Sequence, residues 1–147
     1  MGRFSCDNSY GIAFIGKKYP NEMQEMEHLF SEKNVSYQVC VDFQSYDSED
    51  KEVFQLQLKR RYCNEKNELD DIDIVNMSYF FIVIVDSKEQ LLAMEEYIYK
   101  YFDKMRVLIM PAVGRAWEIY LSMCTLGMRD FHSMQNVNSQ IISNLLR

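Results

Sequence analysis

The chain has 147 residues, 48% of them hydrophobic and 14% aromatic, with a net charge of −6. That is one domain's length with enough apolar material for a sizeable core, which excludes wholesale disorder. The short basic groups Lys17-Lys18 and Lys59-Arg60-Arg61 do not make the basic face that nucleic-acid binding needs, so no nucleic-acid partner is expected.

Residues 1–9 read as a flexible N-terminus to a single α/β domain spanning 1–147. The start, MGRFSC, has Gly2 but carries Cys6 where a myristoylation signal wants Ser or Thr. YGIAFIG (10–16) is a short apolar run and reads as a buried strand. Residues 20–34 place Met23, Met26, Leu29 and Phe30 at helical spacing, with Asn21 as N-cap. YQVCVDF (37–43) is a second strand. Residues 48–62 form a helix with Glu49, Asp50 and Glu52 in its first turn and Lys59, Arg60 and Arg61 near its end, signs that suit the helix dipole. Residues 64–76 read as a polar loop.

YFFIVIVD (79–86) is the strongest strand. A helix over 87–104 follows, opened by a capping box of Ser87 and Gln90. RVLIMPAV (106–113) is a strand ended by Pro111, residues 114–127 a helix with Gly127 at its C-cap, and 128–131 a short fifth strand. An amphipathic helix over 134–147 closes the chain. No apolar run approaches the ~20 residues that span a bilayer, and no signal peptide is present, so the expected place is the cytoplasm, away from membranes. Cys6, Cys40, Cys63 and Cys124 lack metal-site spacing and read as reduced thiols.

Strand–helix alternation with continuous apolar strands predicts an α/β fold. The expected form is a flavodoxin-like, doubly wound, mostly parallel five-stranded sheet of order 2-1-3-4-5, with helices on both faces. In such a sheet ligands bind past the carboxyl ends of strands where the order reverses. That rule gathers Gly16, Lys17 and Lys18 after the first strand, Asp42 after the second, and Asp86 and Ser87 after the third. Walker, dinucleotide and flavodoxin loops are excluded because GKKYPN lacks their glycines and hydroxyls. His28 and His132, the two histidines, do not build a triad or a metal site, so no metal and no cofactor is expected.

On the wheel of the 87–104 helix, Leu91, Met94, Ile98, Tyr101, Phe102 and Met105 share one face. Glu95 sits at the margin of that face, and Glu96 lies opposite, with Lys100 and Asp103. The stretch DIVNMSYFFIVIVDS…MEEYIYKYFDKMRVLIMP, together with VSYQVCVDFQSYDSEDKEVFQLQLKRRY, resembles Toll/interleukin-1 receptor (TIR) domains and nucleoside 2-deoxyribosyltransferase-like proteins over roughly residues 35–111. The glycines that flank the transferase glutamate, and the serine and tryptophan that precede the TIR glutamate, are absent here.

The resemblance implies binding of NAD or a related nucleotide, with cleavage of its N-glycosidic bond. It makes Glu95 the first and Glu96 the second choice of catalytic carboxylate, with Asp86 and Ser87 on ribose hydroxyls and Lys17 and Lys18 on phosphate. Two alternatives stay open: a non-catalytic protein–protein interaction domain, and a nucleotide sensor that does not cleave. The first is suggested by the Trp117–Leu126 helix, whose apolar residues wrap more than one face and suit cover by a second subunit in a homo-oligomer.

Overall fold

The computed structural model describes residues 3–20, 23, 29, 35–61, 73–112 and 134–146. The elements are β1 (Arg3–Cys6), β2 (Ser9–Lys18), β3 (Ser36–Ser45), α1 (Ser48–Arg61), β4 (Ile74–Val85), α2 (Lys88–Lys104), β5 (Leu108–Pro111), β6 (Gln135–Asn138) and α3 (Gln140–Leu145). Apart from residues 20, 23 and 29, the expected helix over 20–34 lies outside the described residues, as do the expected helix over 114–127, which carries the Trp117–Leu126 surface, the expected strand over 128–131, His28 and His132. Residues 134–147, expected as one helix, instead give β6 and then the short α3.

The six strands form one sheet of order β1-β2-β4-β3, with β5 also pairing β2 and β6 also pairing β4. Every pairing is antiparallel. The expected parallel, doubly wound, flavodoxin-like sheet is therefore wrong. Its premise was that an apolar strand without alternation belongs to a parallel sheet. Burial on both faces is indeed what β4 has, with Met77, Tyr79, Phe80, Phe81, Ile82 and Val83 all buried. An antiparallel strand at the centre of a sheet covered on both sides meets the same demand, so apolar continuity reports burial and not direction. The 46–73 connection that contains α1 then joins antiparallel neighbours, β3 and β4, rather than crossing between parallel strands.

Alternation along β2 and β4 separates two cores. Ile12, Phe14, Tyr79, Phe81 and Val83 face Leu91, Met94, Ile98 and Phe102 of α2 and Ile141 and Leu145 of α3. Each of the four buried α2 side chains contributes about 1.5–3 kcal/mol by leaving water. The opposite face carries a smaller cluster of Ala13, Ile15, Phe80, Ile82 and Ala112.

Local signals hold where they rest on caps and turns. Ser87 Oγ accepts from Gln90 N–H at 3.1 Å, and Gln90 Oε1 accepts from Asp86 N–H at 3.3 Å, the capping-box exchange shifted by one residue. α2 ends in a Schellman motif: Val107 N–H donates to Phe102 O and Arg106 N–H to Asp103 O, both at 3.0 Å. Arg106 there takes the left-handed conformation, φ 59°. β1 and β2 are joined by the two-residue turn Asp7-Asn8, with Asp7 at φ 52°. α1 is capped by Asp47, whose Oδ1 accepts from Asp50 N–H at 3.0 Å.

Candidate functional site

The antiparallel sheet divides the sequence-derived site in two. Asp42 pairs with Ser78, and Gly16–Lys18 run past the Ile15–Phe80 pair in the same direction. Asp86 follows Val85, which pairs with Tyr10 at the start of β2. From Phe80 to Asp86 at ~3.3 Å per residue is about 20 Å. Gly16, Lys17, Lys18 and Asp42 therefore lie near one end of the sheet, and Asp86 and Ser87 near the other.

Gly16 makes room for a side chain of the protein itself. A Cβ at this position would fall inside the phenol of Tyr19, which is buried against the larger core. Lys17 gives its carbonyl oxygen to Gln135 Nε2, which ties the end of β2 to β6. Ser87 Oγ is engaged as the α2 cap.

The two glutamates have separate environments. Glu96 is exposed and pairs with Lys100 at 2.7 Å, and that hydrogen bond holds its carboxyl below the usual range. Glu95 sits at the margin of the buried face, 18% exposed, and its Oε2 accepts from Arg3 Nη2 at 2.7 Å and Nε at 3.1 Å.

Arg3 leads to a cleft the sequence did not single out. Between the β1–β2 hairpin and the start of α2, Arg3, Phe4, Ser5, Tyr10, Lys88, Leu91 and Leu92 line an open cleft of about 430 Å³. That lies within the range of small-molecule sites. Tyr10, Leu91 and Leu92 supply apolar and aromatic surface, and Arg3 and Lys88 supply two positive charges, while the Phe4 ring packs on the opposite face of the sheet, over Gly11. Lys88 Nζ stands 5.8 Å from the centroid of the Tyr10 ring. Glu95 uses Nε and Nη2 of Arg3, and Nη1 has no partner among the described residues. No carboxylate lines the cleft among the described residues. Asp86 and Ser87 immediately precede Lys88, so this end of the expected site adjoins it.

Lys88 carried a signal in the sequence. A basic residue in the first turn opposes the helix dipole and needs another reason to be there. Arg3 carried none, because only the β1–β2 hairpin brings it to α2.

A polar group occupies the other end of the sheet. Tyr46 OH donates to Asn136 Oδ1 at 2.6 Å, and Asn76 Nδ2 donates to Tyr46 OH at 2.7 Å. Ser78 beside them is fully buried, and its Oγ has no hydrogen-bond partner among the described residues. No group of three or more His, Cys, Asp or Glu among the described residues could hold a metal ion. No described helix is long and apolar enough to cross a membrane.

The chain matches no protein-family model, no curated protein and no solved structure.

Proposed function

We propose that the chain binds a small anion carrying a planar ring, of the nucleotide class, in the Arg3–Tyr10–Lys88 cleft, and that it holds this ligand without cleaving it. The observation that carries the reading is the pairing of two cations with an aromatic and aliphatic wall in one cleft of ligand size. A phosphate is the natural counterpart of Arg3 and Lys88. A base or other flat ring suits Tyr10 and Leu92. Hydrolysis at a ribose carbon wants a carboxylate at the anomeric centre, and none of the described lining residues is one.

Cleavage stands as the second reading because Glu95 is bonded to a cleft residue. A ligand phosphate that draws Arg3 away would free the Glu95 carboxylate beside it.

The test is thermal shift and calorimetry with NAD, ADP-ribose, cyclic nucleotides and nucleosides, with chromatography for released base. A ligand at 100 times its Kd raises stability by about 2.7 kcal/mol. The expected result is a shift with phosphate-bearing ligands, a loss of about tenfold in affinity in Lys88→Ala, and no released base. Released base that disappears in Glu95→Gln would replace binding by cleavage. No shift with any ligand, or a shift unchanged in both Arg3→Ala and Lys88→Ala, would refute the cleft.

A further inference from the structure

The two edges of the sheet are built differently. The edge beyond β2 is broken into the four-residue strands β1 and β5, carries Arg3 and Pro111, and has a register shift between Gly16 and Lys18. Short strands, charge, proline and bulges are the devices that keep an edge from pairing with another chain. The opposite edge is β3, ten residues long, in unbroken register with β4 from Ser36 to Ser45. It has no lysine, arginine, proline or glycine, and its one charge is Asp42. None of its residues is buried, and no described strand pairs its outer side.

We propose that β3 is a homodimer interface, on which a second copy of this chain adds its own β3 antiparallel, about a two-fold axis through Cys40. The sequence of the strand supports the choice of occupant. A two-fold axis perpendicular to an antiparallel pair sets one residue opposite its own copy, and residues equidistant from it opposite each other. Tyr37 and Phe43, each 52% exposed, lie three residues either side of Cys40. In this register Tyr37 faces the partner's Phe43 twice over, and Val39 faces the partner's Val41. Gln38 faces the partner's Asp42. Centring on Val41 sets Tyr37 against Ser45 and Asp42 against Cys40, and centring on Asp42 sets two carboxylates face to face. Of these three registers, the Cys40 one puts ring on ring and keeps like charges apart, which is what stabilises cross-strand pairs.

The register also places the two Cys40 residues opposite each other. Cα atoms of directly opposed residues are ~4.5–5.5 Å apart, within disulfide range. The experiment is sedimentation equilibrium of the full chain in reductant over a concentration series, then treatment with diamide, which oxidises two thiols to a disulfide as it is itself reduced. Since burial, with Asp42 nearby, pushes the Cys40 thiol up, the oxidation is run at mildly alkaline pH. The expected result is a reversible dimer, a covalent dimer that is lost in Cys40→Ser, and at least about a tenfold weaker dimer in Tyr37→Lys/Phe43→Lys with an unchanged circular dichroism spectrum. A monomer at all concentrations would overturn the proposal. So would a dimer that keeps its affinity in the double-lysine variant. A dimer that cross-links through Val41→Cys in a Cys40→Ser background, and not through Cys40, would overturn the register.

Discussion

Arg3 of β1 and Glu95 of α2, 92 residues apart in sequence, are joined by two hydrogen bonds to a single carboxylate oxygen. The contact fastens the first strand of the sheet to the helix that covers it. Arg3 is 46% exposed and Glu95 18%, so solvent screens the pair. Arg3→Ala is expected to cost about 0.5–1 kcal/mol in urea unfolding. Glu95→Gln, which keeps one acceptor, should cost less. A loss above about 3 kcal/mol for either would mean that the pair acts as a buried one.

Gly16 and Gly11 are each roofed by an aromatic ring, Tyr19 over the first and Phe4 over the second. Gly16→Ala is expected to destabilise by about 1–3 kcal/mol, because the buried Tyr19 ring must move. Gly11→Ala should be costly in the wild type and cheap in a Phe4→Ala background. A double-mutant cycle by chemical denaturation measures that coupling, and strict additivity of the two changes would show that Phe4 does not fill the space.

Arg106 holds the left-handed position of the Schellman motif that ends α2. Glycine adopts this conformation without steric cost. Arg106→Gly is expected to raise stability by about 0.5–1 kcal/mol, read as a higher melting temperature. At the other end of the helix, Ser87→Ala removes the Gln90 acceptor and should lower stability by about 1 kcal/mol.

Burial pushes the phenols of Tyr19 and Tyr79 well above the ordinary tyrosine range. Below about pH 10 both are protonated in the folded and unfolded chains, and their contribution is fully present. Above it the unfolded chain releases protons that the folded chain retains. Stability then falls with pH by up to about 1.4 kcal/mol per unit for each tyrosine. Urea midpoints taken from pH 9 to 11.5 should drop, and Tyr79→Phe should flatten the slope. A slope the same in wild type and variant would remove Tyr79 from the account.

What the residues disclosed before folding was local. The cores of β2, β3, β4 and β5, the bounds of α1 and α2, the Ser87 cap and the buried stripe Leu91–Met94–Ile98–Phe102 all follow from periodicity and capping chemistry. Strand direction did not follow, because Phe80 and Phe81 are buried on opposite faces whichever way the neighbours run. β6 was hidden for a different reason. Val137 and Ile141 stand at helical spacing, yet Val137 packs beside Val75 in the sheet, and Asn138 Oδ1 accepts from Gln140 N–H at 3.2 Å as the chain turns into α3. The cleft was not read from the sequence: Asp86 and Ser87 precede Lys88 without lining the cleft, and the misplaced charge of Lys88 was the one local trace. Arg3 and Tyr10 join it only by tertiary contact.

β4 is the strand on which β2, β3 and β6 all assemble. During synthesis the β1–β2 hairpin can close as soon as it leaves the ribosome, since its turn is local. β3 must wait, with both sides unpaired, until residues as far as Ile84 have emerged to receive it. A nascent chain halted before residue 74 therefore lacks the strand on which the described sheet assembles, and it exposes a ten-residue strand that meets other chains before its own partner.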